Sequence, residues 1–215
     1  IVSVSSSTNA SNIQCEVSGN VGHLARLVER LSQSGIQVTQ VSGLAKGYLK
    51  IGRALLGLTD GRMACERAKD EQLDELVLVD LALDYRSATH IALSRSASTS
   101  EEAFNDVVQC FDLAGIKVSE VTDSPALVVM RTVAMLANEA ADAVLQGVAS
   151  VDGVDTAMCF GLNYPRGPLA WADSIGVAEV ETVLGNLQLA YGEDRYRPSL
   201  LMRRIAMLEG NFYDQ

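Results

Sequence analysis

The sequence SPALVVMRTVAMLANEAADAVLQG, residues 124–147, predicts a long helix that is apolar around most of its circumference. Ser124 can cap its first turn, and Pro125 suits the first helical position, where no backbone N–H is needed. Gly147 supplies a left-handed residue at which such a helix can end. A narrow polar stripe at helical spacing consists of Arg131, Asn138, Glu139, Asp142 and Gln146. Because its apolar faces must be covered, we expect this helix to be the spine of an all-helical domain.

The bulk properties exclude several classes of protein. The chain has 215 residues and a formal net charge of −10, which argues against nucleic-acid binding through a basic face. Polar residues interrupt the apolar helix, so we predict no membrane span. The four cysteines (15, 65, 110 and 159) lack CxxC spacing, which predicts reduced thiols, a cytoplasmic protein and no metal site. Residues 1–10 lack the basic and apolar regions of a signal peptide, and the chain does not begin with Met.

Residues 1–122 alternate short β-like runs with amphipathic helical stretches. The pattern predicts strands at 12–17, 36–41, 53–59, 76–80, 90–94 and 116–121. It predicts helices at 21–34, 61–69 and 99–114, the last capped by Thr99 or Ser100. Strands that alternate with helices in this way favour a mainly parallel α/β sheet.

The first strand-to-helix turn, VSGNVG at 17–22, is the place to look for a dinucleotide site. It contains two of the three glycines of the fingerprint, Gly19 and Gly22, but Val17 opposes the tight turn that the first glycine permits. The ribose-binding carboxylate is also missing after the second strand, where residues 41–43 read VSG. We therefore interpret Gly19 and Gly22 as turn and helix-packing residues and expect no cofactor here.

Two histidines are candidates for acid–base chemistry because histidine titrates near neutral pH. Neither His23 nor His90 lies beside a recognisable Ser or Cys nucleophile motif. We interpret both as surface or capping residues.

The chain beyond Gly147 is predicted to be entirely helical. Ser150 can cap a short helix that ends near Gly161, and Pro168 can begin the next one. Further helices are predicted at 177–191 and 198–208. Residues 123–215 would therefore form one helical domain.

Six motifs in this region carry a family resemblance. In order they are NEA (138–140), GVAS (147–150), VDTAM (154–158), GLNYPRGP (161–168), DSIG (173–176) and YGEDRYRP (191–198). With them, residues 123–212 resemble the C-terminal helical domain of 3-hydroxyacyl-CoA dehydrogenases. The resemblance is strongest to bacterial 3-hydroxybutyryl- or 3-hydroxyadipyl-CoA dehydrogenases linked to phenylacetate breakdown. It implies a fold that is α/β plus all-α, with a reduced Rossmann-like domain at 1–122 and the helical domain at 123–215.

The resemblance implies that the chain is the C-terminal half of an NAD-dependent enzyme that oxidises 3-hydroxyacyl-CoA. The catalytic serine, the His-Glu pair and the NAD-binding glycines of the family would lie in upstream domains. One family asparagine precedes an arginine early in the helical domain. Here the arginine is Arg131 and the preceding residue is Met130, whose thioether cannot replace an amide. The fragment would therefore contain no catalytic residue and bind no cofactor alone.

Some residues remain candidates for contact with the acyl-CoA substrate or with a subunit: Asn163, Tyr164, Arg166, Arg195 and Arg197. The alternative is structural, with Pro165 and Gly167 shaping a loop and the arginines forming surface ion pairs. The small residues Ala134, Ala137 and Ala141 could admit a helix of a second copy, which predicts a homodimer. A free-standing, non-enzymatic binding or assembly module is the alternative function.

Overall fold

The computed structural model describes residues 2–3, 13–44 and 46–214. Its contacts divide the chain into two compact units. The first comprises residues 1–59 and 63–127, and the second comprises residues 60–62 and 128–215. The first unit is a sheet with helices and the second is helical, which confirms the predicted fold class. Most of residues 1–10, on which the signal-peptide prediction rests, lie outside the described residues.

An eight-stranded sheet organises the described part of the first unit. Its strands are β1 (Val2–Ser3), β2 (Gln14–Val17), β3 (Gln37–Gln40), β4 (Tyr48–Ile51), β5 (Ala54–Leu58), β6 (Leu76–Val79), β7 (His90–Arg95) and β8 (Lys117–Glu120). They are arranged in the order β1-β8-β7-β6-β5-β4-β2-β3. All six predicted strands are present, although position 12 lies outside the described residues.

The prediction of a mainly parallel sheet was wrong. Three neighbouring pairs are parallel, β2–β3, β5–β6 and β7–β8. Four are antiparallel, β1–β8, β2–β4, β4–β5 and β6–β7. The reason lies in the connections. Only Gly52 and Arg53 join β4 to β5, and a two-residue link can join antiparallel strands only. The short strand β4 was not predicted.

Helices cover both faces of this sheet. They are α1 (Ala25–Gln33, after a 3-10 turn at Gly22–Leu24), α2 (Ala64–Glu71) and α3 (Glu101–Leu113). Leu27 and Leu31 of α1 and Phe111 of α3 share one core cluster with the sheet. Ala64 and Ala68 of α2 belong to a second cluster. Burial on both sides explains why β6, with the sequence LVLV, is apolar at every position.

The second unit consists of five α-helices within the described residues. They are α4 (Val129–Leu145), α5 (Val151–Leu162), α6 (Pro168–Ile175), α7 (Val177–Tyr191) and α8 (Leu200–Met207). Single 3-10 turns lie at Asp194–Tyr196 and Phe212–Asp214. The predicted caps Ser150 and, in the first unit, Ser100 are confirmed, since their hydroxyls accept hydrogen bonds from Gly153 N and Ala103 N. No helix of the described residues is long and apolar enough to cross a membrane.

The predicted start of α4 at Ser124 and Pro125 was wrong. The helix begins four residues after Pro125 because Ala126 and Leu127 have φ values of 57° and 51°. A left-handed backbone cannot continue into a right-handed helix. The predicted end is confirmed, since α4 stops at Leu145 and Gly147 follows with a φ of 72°.

Candidate functional site

Asn138 is the polar centre of the second unit. The sequence placed it on a polar stripe of α4, yet it is only 3% exposed. Its Nδ2 donates to the carbonyl oxygen of Arg197 at 2.9 Å, and its Oδ1 accepts from the N–H of Ser199 at 2.7 Å. One buried amide therefore fastens the spine helix to the segment that leads into α8.

Asp155 plays a comparable part between α5 and α6. It is the only buried residue of α5, at 5% exposure. Its carboxylate accepts hydrogen bonds from Leu169 N at 2.9 Å, Ala170 N at 2.8 Å and the hydroxyl of Tyr213 at 2.9 Å. The first two donors belong to the first turn of α6, where backbone N–H groups lack helical partners. Asp155 is thus a cap supplied by another helix.

The turn GLNYPRGP is shaped around that cap. Asn163 ends α5 with a φ of 56°, and Pro168 is the first residue of α6. A Cβ on Gly167 would overlap the Asp155 side chain. Glycine is therefore required at 167 for space, and the geometry of this turn follows from helix packing.

Asp173 of α6 binds backbone N–H groups of the C-terminal segment in a similar way. Its carboxylate accepts from Phe212 N at 2.8 Å and Tyr213 N at 3.2 Å. Burial raises the pKa of this carboxyl group, while the two backbone hydrogen bonds lower it. The acidic motif residues at 155 and 173 thus bind backbone N–H groups.

Arg131 packs against two neighbouring tyrosine rings and forms a triangle with them. Its Cζ is 4.7 Å from the ring centroid of Tyr191 and 5.3 Å from that of Tyr196. Nη1 donates to the Tyr191 hydroxyl at 3.0 Å, and Nη2 donates to the Tyr196 hydroxyl. The two rings are 5.2 Å apart. We did not predict this cluster from the sequence. The only signal for it there is the pair of tyrosines, five residues apart, in the motif YGEDRYRP.

The five predicted contact residues lie on two separate segments of the second unit. Asn163, Tyr164 and Arg166 belong to the α5–α6 turn, where Arg166 Nη1 donates to Ser174 Oγ at 2.8 Å. Arg195 and Arg197 flank Tyr196. Arg195 forms an ion pair with Glu193, and the exposed Arg197 contributes its carbonyl oxygen to Asn138. Contact of these residues with a substrate stays a prediction.

Met130 and the three alanines of α4 are internal. Met130 is 1% exposed, and Ala134, Ala137 and Ala141 are completely buried beneath the neighbouring helices of the unit. The close approach that small residues permit is therefore used within the chain. We correct the assignment of these alanines to a dimer surface, because they expose nothing to a second copy.

The turn at Gly19 and Gly22 joins β2 to the 3-10 turn that precedes α1. Both glycines have positive φ, 61° and 56°, which confirms their role in a turn. A Cβ on either would meet nothing within 4 Å in the chain, so neither packs against a helix. That no cofactor binds here stays a prediction.

The two histidines lie on different elements of the first unit. His90 is exposed, and its Nε2 lies 2.8 Å from Ser119 Oγ across β7 and β8. His23 is half-buried in the 3-10 turn before α1. Within the part of the chain that the structure describes, no group of three or more His, Cys, Asp or Glu residues could hold a metal ion.

The first unit also contains a cleft of about 530 Å³ that the sequence did not predict. It lies between α2 and the loop after β7, and Cys65, Lys69 and Ser98 are among its lining residues. A hydrogen bond to Asp123 raises the pKa of the Cys65 thiol. A raised pKa lowers the fraction of thiolate, which is the nucleophilic form of cysteine.

Comparison with known families and proteins agrees with the two units. Residues 56–125 match the model of the 3-hydroxybutyryl-CoA dehydrogenase reduced Rossmann-fold domain, and residues 127–211 match the 3-hydroxyacyl-CoA dehydrogenase C-terminal domain. The 3-hydroxyadipyl-CoA dehydrogenase of Escherichia coli is 36% identical over 173 residues, which are 80% of this chain and 35% of that protein. A probable 3-hydroxybutyryl-CoA dehydrogenase of Bacillus subtilis is 36% identical over 53% of this chain and 40% of that protein.

Solved structures give the same result. The crystal structure of 3-hydroxybutyryl-CoA dehydrogenase from E. coli superimposes with a TM-score of 0.71 and 36% identity, covering 79% of this chain and 35% of that one. The chain thus spans between about a third and two fifths of the length of these curated relatives.

Proposed function

This chain belongs, through its two matched domains, to the 3-hydroxyacyl-CoA dehydrogenase family, and we propose that it is the C-terminal part of such an enzyme. The whole protein would oxidise a 3-hydroxyacyl-CoA thioester to the 3-oxoacyl form and pass a hydride to NAD. The observation that carries this proposal is the succession of the two family domains along one chain. The chemistry would reside in further domains, and this part would supply packing and assembly.

Three features support an inactive role for these 215 residues alone. The family asparagine position is occupied by Met130, which is buried and has no amide. The turn at Gly19 and Gly22 has Val17 where the dinucleotide fingerprint has its first glycine. The motif residues Asn138, Asp155 and Gly167 serve internal hydrogen bonds and space.

The test compares the 215-residue chain with the product of the complete gene. We expect no oxidation of NADH with acetoacetyl-CoA by the chain alone, and activity by a gene product that carries an upstream Rossmann domain. Turnover by the chain alone would contradict the inactive role. A complete gene product that lacks both a Rossmann domain and activity would favour the non-enzymatic assembly module.

We further propose that the part assembles as a homodimer through α5. This helix buries only Asp155, while Phe160 is 88% and Leu162 59% exposed. Gly153, Ala157 and Gly161 recur every fourth residue, a spacing that lets helices approach closely. Asp152 is the only exposed charged residue on α5. Two copies of this strongly acidic chain can therefore meet at α5 with little repulsion between like charges.

The pattern on α5 is self-complementary. In an antiparallel pair related by a two-fold axis between Thr156 and Ala157, Phe160 of one copy meets the partner subunit's Gly153. A large ring then lies opposite a small residue on both sides of the axis, so the same surface of each copy forms the interface, as in an isologous dimer. This arrangement replaces the corrected assignment to Ala134, Ala137 and Ala141.

A further inference from the structure

The Arg131 guanidinium is held in a fixed position without a carboxylate. The rings of Tyr191 and Tyr196 lie within 4.7 Å and 5.3 Å of its Cζ, and both hydroxyls accept its N–H groups. Among the described residues it forms no ion pair, and the nearby Glu193 pairs with Arg195. Aromatic faces can stabilise a cation in place of a counter-ion.

The donors of this cluster are only partly used. An arginine side chain has five N–H groups, and two of those of Arg131 are directed to the tyrosine hydroxyls. Each hydroxyl accepts from Arg131, so its own hydrogen is available to donate. Within the described chain, neither hydroxyl donates to a protein acceptor. The cluster therefore has unused N–H donors on Arg131 and an O–H donor on each tyrosine.

One tyrosine of the cluster is buried and the other is exposed to solvent. Tyr196 is 2% exposed, and its segment is fastened to α4 by Asn138 through Arg197 O and Ser199 N. Tyr191, at the end of α7, is 38% exposed, and Arg131 is half-buried. The guanidinium is thus positioned by the fold and reachable from one side.

We propose that Arg131, Tyr191 and Tyr196 form a binding site for an oxyanion, a phosphate or a carboxylate group. The remaining guanidinium N–H groups match two oxygens of such a group, as in bidentate arginine recognition. The tyrosine hydroxyls donate to the same oxygens. The ring of Tyr191 offers an apolar surface to whatever carries the anion. This site does not depend on the proposed dehydrogenase function.

The test uses the 215-residue chain, with inorganic phosphate and acetate as separate probes at constant ionic strength. The readout is the Nε–H signal of Arg131 in nitrogen-15 NMR spectra. We expect a saturable shift with at least one probe, and the comparison of the two identifies the preferred anion. Arg131→Lys keeps the charge but removes the planar donors, so the affinity should fall at least tenfold. Tyr191→Phe keeps the ring and removes one hydroxyl, so the affinity should fall severalfold.

Arg204 provides the matched control. It is an exposed arginine of α8 with no described ion pair and no aromatic partner. Arg204→Gln should leave the affinity unchanged. A shift that does not saturate, an equal affinity in Arg131→Lys, or an equal shift at Arg204 would overturn the proposal. If Arg131→Lys does not fold, an unchanged affinity in Tyr191→Phe overturns it as well.

Discussion

The Asp155 carboxylate occupies the space that a side chain at Gly167 would need. The same carboxylate binds the N–H groups of Leu169 and Ala170 and so begins α6. Gly167 and Asp155, twelve residues apart, therefore depend on each other: the missing side chain of the glycine makes room for the carboxylate that caps α6. This dependence explains why motifs on α5 and on the α5–α6 turn occur together in this sequence.

Gly167→Ala should destabilise the second unit. The new methyl group must displace Asp155, which costs about 1–3 kcal/mol for overpacking and about 1 kcal/mol for the weakened cap. The free energy of unfolding in urea measures the effect. Gly185→Ala is the control, because a Cβ at 185 in α7 meets nothing within 4 Å. It should stabilise by about 0.5–1 kcal/mol, and equal effects of the two changes would refute the argument.

Asn138→Ala should cost more than an ordinary loss of hydrogen bonds. It leaves the buried N–H of Ser199 and the carbonyl of Arg197 without their partner, at about 1–3 kcal/mol for each group. Asn138→Asp keeps one acceptor but turns a carboxylate oxygen toward the carbonyl oxygen of Arg197. Its stability should therefore be no higher than that of Asn138→Ala. Asn211→Ala removes only an exposed hydrogen bond to Asp214 and should change stability by less than about 0.5 kcal/mol. Denaturant unfolding curves would distinguish these outcomes.

Met130→Asn introduces the amide that the family resemblance implies at this position, and we expect it to confer no activity on the chain. Position 130 is 1% exposed, so the amide would replace apolar contacts and cost roughly 2–4 kcal/mol of stability. Met130→Leu should cost less than about 1.5 kcal/mol. Met207→Asn, at a position that is 85% exposed, should be nearly neutral. Calorimetry and an acetoacetyl-CoA assay on the same samples provide both readouts, and measurable turnover by Met130→Asn would count against the inactive role.

Cys15 and Cys110 should make the first unit sensitive to alkali. Burial raises the pKa of the Cys15 thiol to about 11 and that of Cys110 to about 12. These raised pKa values favour the folded state below about pH 9. Above that pH the unfolded thiols ionise while the folded ones stay protonated, so stability falls by up to about 1.4 kcal/mol per pH unit for each thiol. Stability curves from pH 8 to 11 test this.

The double variant Cys15→Ala/Cys110→Ala should show a flatter pH profile despite lower stability. Val107→Ala is the matched control, since Val107 is fully buried in the same core and does not titrate. It should lose stability equally at every pH. A double variant that keeps the wild-type slope would mean that other groups cause the alkaline loss.

Phe160→Glu should separate the proposed dimer. Two carboxylates near the two-fold axis would face apolar α5 surfaces and the partner subunit's Asp152, so burial of charge and repulsion between like charges both oppose association. Sedimentation should shift from dimer to monomer, with the circular dichroism spectrum unchanged. Leu189→Glu is the control, because Leu189 on α7 is 84% exposed but lies outside α5. A monomeric wild-type chain at high micromolar concentration, or dissociation by both variants alike, would contradict the α5 interface.

Much of the fold followed from local patterns. The apolar run of β6, the caps Ser100 and Ser150, and Pro168 at the start of α6 act within a few residues, so the sequence predicts them directly. The antiparallel pairs of the sheet could not be predicted from local patterns, because the pairing of β4 depends on the strands beside it. The predicted start of α4 was also wrong. Asp123, just before the predicted start, accepts hydrogen bonds from the N–H groups of Ala64 and Cys65, some sixty residues earlier, and no local pattern shows this contact.

The sequence alone determined that a spine helix lies in a helical domain of recognisable family, and it predicts that Met130 stands in place of a family amide. These are matters of residue type and spacing. Only the tertiary structure decided that Asn138 is internal, that Asp155 fills the space a side chain at Gly167 would need, and that Arg131 packs against two tyrosines. Those relationships join residues 12 to 65 positions apart, and the packing of helices sets their distances. No local pattern encodes such distances, because they depend on how the helices cross.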